Sequence, residues 1–269
     1  MDLRGASAES LRELTAELDG AVRAGQHAAS VAGELYDVAS LLRAEPALRR
    51  FATDASLPAE AKQGLAKQVF DGKVDGVTLA LVTSASGRRW TATRDLPDAM
   101  EKLSELAWVI SVGGESGRLA DELFSLGQTV TANPDLRDAL ANPARSAADK
   151  ATLLDTLLSG KALDATVELA KQALGGTYRT ITAALAAYRH VAVDAHGEAV
   201  ATVRTVSPLG EAERDRLADA LAKQYGKKVH LNEVVDPGVL GGLRVEIGDD
   251  VIDGTVSSRL DDARRKLVG

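Results

Sequence analysis

The sequence predicts an α+β chain that is mostly helical: two related helical bundles followed by a small strand–helix–strand–strand–helix domain. Three observations predict it. Residues 31–90 recur at 119–178 with a constant offset of 88 and no gaps, giving 16 identities over 60 positions. Apolar residues in both copies fall at helical spacing. Near residue 197 that period gives way to β-branched runs punctuated by glycine and proline. The expected domains are 1–95, 96–197 and 198–269.

The elements can be justified in order. Leu11, Leu14, Leu18 and Val22 make the stripe of a first helix. Val31, Leu35, Val38 and Leu42 face Leu119, Leu123, Leu126 and Val130 in the second copy, in steps of four, three and four. Pro46 and Pro134 each open a short helix, since proline is tolerated in a first turn but not inside a helix. Lys62 and Leu65 match Lys150 and Leu153. Gly72-Lys73 matches Gly160-Lys161, a helix stop and restart, and Trp90 matches Tyr178. Leu96, Met100, Leu103, Ala107 and Ile110 form a longer helix between the copies. Tyr178, Ile181, Leu185, Tyr188 and Ala192 continue past the second.

Beyond residue 197, Val200–Val206 reads as a strand. Ser207-Pro208-Leu209-Gly210 starts a helix with Glu211 and Glu213 in its first turn, where the dipole favours negative charge, and Gly226 is its expected stop. Val229 and Leu231 open a second strand, and Leu243, Val245 and Ile247 alternate in a third. Asp236-Pro237-Gly238 and Gly248-Asp249-Asp250 are turns. A basic helix is expected over 257–268, with Arg264, Arg265 and Lys266 at its C-terminal end.

Composition narrows the function. A net charge of −7 offers no field for nucleic acid. Cysteine is absent, which rules out disulfides and thiolate metal sites and fits a reducing compartment. Alanine dominates, with two Trp, four Tyr and three Phe, so small side chains are available for close helix packing. Met1-Asp2-Leu3-Arg4 leads into a polar stretch without a signal-peptide core. Apolar runs such as Val77–Val82 fall far short of the ~20 residues that span a bilayer. The chain is expected to be soluble and cytoplasmic, reaching a membrane only through a partner.

No catalytic, cofactor or metal site is expected. A phosphate-cradling glycine loop is absent. Gly113-Gly114-Glu115-Ser116-Gly117 fits a helix–helix loop better than a nucleophile elbow. His27, His190, His196 and His230 are scattered, without the i, i+4 spacing of a zinc helix. Asp71-Gly72-Lys73-Val74-Asp75-Gly76 resembles a calcium loop faintly, but its later acidic ligand is missing and its copy at 159–164 loses the acids. Asp249-Asp250 and Asp261-Asp262 lack cleft neighbours for acid–base work. Gly241-Gly242 is more telling: two glycines entering a strand signal a bulge, a tight turn, or backbone cleared for a partner.

One pattern carries a family likeness. It runs Val229-x-Leu231-x-x-x-Val235-Asp236-x-x-Val239-x-Gly241-Gly242-Leu243-x-Val245-Glu246-x-Gly248, then Val251-Ile252-Asp253-Gly254-Thr255-Val256 and Arg259-Leu260. Upstream stand Glu122-Leu123-Phe124, Asn133-Pro134-x-Leu136-Arg137-x-x-Leu140-x-Asn142-Pro143, Ala148-x-Lys150-x-x-Leu153 and Val203-x-Thr205-x-x-Pro208-Leu209. In this order they resemble the delta subunit of the F-type ATP synthase (the oligomycin-sensitivity-conferring protein family) over 103–269. Residues 1–102 depart from the usual plan as an extra copy of the bundle.

The resemblance implies a non-catalytic peripheral-stalk subunit of the proton-translocating synthase, held on the cytoplasmic face of the cell membrane without inserting. Its bundle would grip the N-terminal helices of the α subunits, and its C-terminal domain the C-terminal helix of the b subunit. Candidate α-facing positions are Leu103, Leu106 and Ile110 on one helix and Val167, Ala170 and Leu174 on another; the same residues also read as core. Candidate b-facing positions are Gly241, Gly242, Leu243, Arg244 and Glu246, with polar groups and open backbone meeting the partner. A tandem-repeat scaffold with a small partner-binding domain and an enzyme using a cleft between lobes are the other readings.

Overall fold

A computed structural model describes residues 3–23, 25–194, 199–225, 229–236, 238–239, 241–247 and 250–253. The chain divides into two compact units, Met1–Val191 and Ala192–Gly269. The expected division at 95/96 coincides with the start of a helix inside the first unit. The expected helix over 257–268, and the turn residues Gly226, Gly248 and Asp249, lie outside the described residues.

The helical unit runs α1 (Ala6–Ala21), α2 (Gln26–Ala44), α3 (Pro46–Thr53), α4 (Ala59–Phe70), α5 (Gly76–Gly87), α6 (Asp95–Val112), α7 (Ser116–Ala132), α8 (Pro134–Ala141), α9 (Ala147–Leu158), α10 (Asp164–Gln172) and α11 (Ile181–Asp194). Shifting α3 and α4 by 88 reproduces the bounds of α8 and α9. Pro46 and Pro134 stand in the first turns of α3 and α8, where the missing N–H costs nothing. Gly72 and Gly160 adopt φ 70° and 72°, the left-handed stop expected of each. Even a long-range tie repeats. Glu34 Oε2 accepts from Asp75 N at 2.8 Å, and Glu122 Oε2 accepts from Leu163 N at 2.8 Å.

The helical repeat extends beyond the matched sequence because α6 serves both copies. α1 packs on α5 as α6 packs on α10, so α6 opens the second repeat. It also closes the first. α6 packs on α2, and 88 residues on, α11 meets α7 where the Arg189 guanidinium lies 5.1 Å over the Phe124 ring. The α2–α6 pairing is the most extensive helix packing in the unit. Ala28, Ala32 and Ala39 are fully buried along α2, so the backbones approach without bulky side chains between them.

The second unit is a four-stranded sheet of β1 (Ala199–Thr205), β2 (Val229–Val235), β3 (Leu243–Ile247) and β4 (Asp250–Asp253), with α12 (Glu211–Tyr225) between β1 and β2. Strand order is β2-β1-β3-β4. β1 and β2 are parallel through the α12 crossover, whereas β1–β3 and β3–β4 are antiparallel. Ala201, Val203, Val245, Ile247, Val229 and Leu221 form the core, with Leu217 and Tyr225 packed against it. β4 was not expected. Asp250 reads as part of a turn, and the four residues of the strand are too short to show a period.

Candidate interaction surfaces

Of the six candidate α-facing positions, five lie on α6 and α10, which pack together; Leu174, expected on the second helix, lies in the turn just past the end of α10 at Gln172. Leu103 and Ala170 are fully buried and Val167 is 8% exposed. Leu106, Ile110 and Leu174 are half-buried. α2 packs on both helices. Ser104 Oγ donates to Ala32 O at 2.7 Å, Gln172 Nε2 donates to Ser104 Oγ at 3.1 Å, and Tyr36 OH donates to Gln172 O at 3.0 Å. Three helices therefore meet at Ser104. Leu103, Val167 and Ala170 are core residues here, and only Leu106, Ile110 and Leu174 remain accessible to a partner.

Beside that junction lies a buried polar network that periodicity did not mark. Arg43 on α2 donates through Nη2 to Asp98 Oδ1 at 3.2 Å, to Glu101 Oε2, and to Thr177 Oγ1 at 2.7 Å. Thr177 N donates to Glu101 Oε2 at 3.0 Å, and the Tyr188 hydroxyl donates to Glu101 Oε1 at 3.4 Å. Glu101 is 1% exposed. A single guanidinium thus pairs with two carboxylates that would be costly to bury alone, and the loop before α11 is fastened to both repeats.

Glu105, one turn further along α6, is equally buried. Burial holds its carboxyl above the ordinary range near ~4.3, opposed by Lys102 Nζ at 2.8 Å and aggravated by the neighbouring charge of Glu101. Burial and the carboxylates of Glu105 and Glu101 push the Tyr178 hydroxyl up as well. A raised folded-state pKa means stability that is fully present below the unfolded value and lost as pH rises through the folded one. Glu105→Gln, which keeps an acceptor for Tyr178, should therefore melt higher than the parent at pH 8, with the gain shrinking to nothing by pH 4. Melting curves across that range test it; a lower melting point at pH 8 would mean that the Lys102 pair outweighs burial.

In the second unit the expected alternation of β3 is present. Val245 is 1% and Ile247 7% exposed, whereas Arg244 and Glu246 are half-buried on the other face. Glu246 Oε1 lies 3.1 Å from Arg244 Nε and 3.8 Å from Arg204 Nε. The expected open backbone is corrected. β3 pairs with β1 from Leu243↔Thr205 onward and with β4 from Arg244↔Asp253 onward, so both edges are filled and β3 offers a partner side chains only.

Gly241 and Gly242 have φ 71° and 78°, so of their possible uses the left-handed turn is the one seen. Gly242→Val should cost about 1–3 kcal/mol by forcing a β-branched residue into that region. Faster hydrogen exchange across 243–247 in the full chain would register it; unchanged protection would remove the strain argument.

Among the described residues, no group of three or more His, Asp or Glu is placed to hold a metal ion. His27 lies 3.2 Å from Asp75, which caps α5 by accepting from Val77 N, so this pair closes an interhelix turn. The side chains of His196 and His230 lie outside the described residues. No helix among the described residues is long and apolar enough to cross a membrane.

Comparison with known proteins bears on both units. The family described as ATP synthase delta (OSCP) subunit matches residues 109–267. A relative named ATP synthase subunit delta from Nocardioides sp. is 53% identical over 99% of this chain and 98% of its own length. Relatives with the same name from Kineococcus radiotolerans and Streptomyces griseus are 41% and 38% identical, covering 91% and 99% of this chain and 90% and 100% of their own lengths. The two matches that cover 99% of this chain include the first repeat, which the family match leaves uncovered.

Proposed function

The chain belongs to the ATP synthase delta (OSCP) family, and from that premise we propose that it is the non-catalytic connector of the peripheral stalk in a proton-driven rotary synthase, held at the cytoplasmic face of the membrane by its partners. A rotating central stalk changes the conformation of the catalytic head only if the head is kept from turning with it. The connector must therefore grip the head with one surface and the stalk with another, and needs no chemistry of its own. The observation that carries this reading is the family match across residues 109–267, which spans both the helical and the α/β unit.

In this reading the helical unit holds N-terminal helices of the α subunits through Leu106, Ile110 and Leu174, the accessible part of the α6–α10 groove, with Leu103, Val167 and Ala170 shaping it from beneath. The α/β unit holds the C-terminal helix of the b subunit through Arg244 and Glu246, positioned by the turn at Gly241 and Gly242 and by Leu243. Docking of amphipathic helices into grooves suits such an interface.

Reconstitution tests the proposal. Membranes stripped of this chain should hydrolyse ATP but fail to make it from a proton gradient, and adding the chain back should restore synthesis together with co-purification of α and b chains. Full gradient-driven synthesis without the chain would refute the connector role. Combined Leu106→Glu and Ile110→Glu should weaken α binding while leaving b binding and helical content in place; normal α binding would move the site elsewhere.

A further inference from the structure

The repeat allows one region to be compared with itself. In the first copy Ala52, Lys62 and Ser86 border a pocket of about 10 Å³ whose other walls include Leu96 and Met100 of α6. Their counterparts 88 residues on, Leu140, Lys150 and Leu174, line an open cleft of about 320 Å³. Named contacts distinguish the two copies at these positions. In the first copy Trp90 Nε1 donates to Ala85 O at 2.9 Å, Lys62 Nζ donates to Arg88 O at 3.3 Å, and Arg49 Nη1 donates to Leu42 O at 3.0 Å. Ring, ammonium and guanidinium all turn inward. In the second copy Tyr178 reaches Glu105 on α6 instead, at 3.3 Å. Arg137, the counterpart of Arg49, turns outward to Asp138 at 3.4 Å with its side chain 53% exposed.

The cleft that opens has a definite chemistry. Leu140, Leu174 and Ile181 supply apolar lining, while Arg137, Lys150 and Arg179 surround it with positive charge against a single acid, Asp138. A local excess of cations in a chain of net charge −7 runs against its background. The geometry points to a docking cleft, between α8, α9 and the start of α11, for an acidic amphipathic helix of a partner protein. Apolar side chains on one face would fill the cleft and carboxylates beside them would meet the three cations, the helix-in-groove mode with charge setting its direction. This cleft shares Leu174 with the edge of the α6–α10 groove, but its cations Arg137, Lys150 and Arg179 lie outside that groove and outside β3, so the charge test below reads this site alone.

A labelled synthetic helix with leucine on one face and glutamate on the other is a suitable probe, beside a counterpart carrying lysine for glutamate. The full-length chain should bind the glutamate peptide at least about tenfold more tightly than the lysine peptide, more weakly as salt rises, and with hydrogen-exchange protection over 137–150 and 173–182. Arg137→Glu with Arg179→Glu should weaken binding about tenfold, whereas Lys67→Glu, exposed on the first copy, should leave it unchanged. Equal affinity for both peptides, insensitivity to the double substitution, or protection elsewhere would each overturn the proposal. Binding to phosphatidylserine vesicles in place of the peptide, lost in the same variant, would replace it with a membrane surface.

Discussion

Arg43→Met is expected to lower the unfolding free energy of the helical unit by about 3–5 kcal/mol, because it strands Asp98 and Glu101 without their cation. The two carboxylate side chains are 8% and 2% exposed, so water cannot take the place of the guanidinium. For a body of this size the loss corresponds to roughly 10 °C in melting temperature. Adding Asp98→Asn and Glu101→Gln to the same variant removes both stranded charges while keeping acceptors for Thr177 and Tyr188, and should return most of the loss. A single variant within about 1 kcal/mol of the parent would show that the network contributes no net stability. Failure of the triple variant to recover would assign the loss to the packing of the Arg43 stem.

The same network shows where sequence reasoning reached its limit. Periodicity finds a helix by its one apolar stripe, and α3, α8 and the outer helices have one, bounded by Pro46, Pro134, Gly72 and Gly160. α6 does not follow that rule, because it closes one repeat and opens the other and is buried on several sides. Asp98, Glu101 and Glu105 therefore look like a solvated face in the sequence, although they are buried against Arg43, Thr177 and Lys102. A constant offset of 88 was the available signal. Carried one helix further in each direction, it pairs α1 with α6 and α6 with α11, which requires one helix to serve twice.

Other parts failed for different physical reasons. β3 was readable because Leu243, Val245 and Ile247 alternate against Arg244 and Glu246, but alternation says nothing about backbone pairing, so its pairings with β1 and with β4 went unseen. Lys62 and Lys150 are the same residue at the same repeat position, one 4% exposed and one half-buried at a cleft. In the first copy Lys62 donates to Arg88 O and Trp90 to Ala85 O, whereas in the second Tyr178 reaches Glu105. The aromatic match was visible; the different hydrogen-bond partner was not.

The candidate groove yields the other large effect. Leu103 is fully buried in the middle of α6, so Leu103→Ala should cost about 2–5 kcal/mol through lost contacts and the cavity left behind. Leu106, three residues on, is only half-buried, and Leu106→Ala should cost about 1 kcal/mol. The pair separates core from surface. If the α subunit docks along the accessible edge, Leu106→Ala should lose α binding with a near-normal melting temperature, whereas Leu103→Ala should lose stability first and bind normally wherever it remains folded. Equal destabilisation by both would place Leu106 in the core and leave Ile110 and Leu174 as the accessible edge. Loss of binding by folded Leu103→Ala at temperatures well below its transition would instead mean that α6 must be held rigid for the partner to dock, since a fully buried side chain can reach that partner only through the helix it supports.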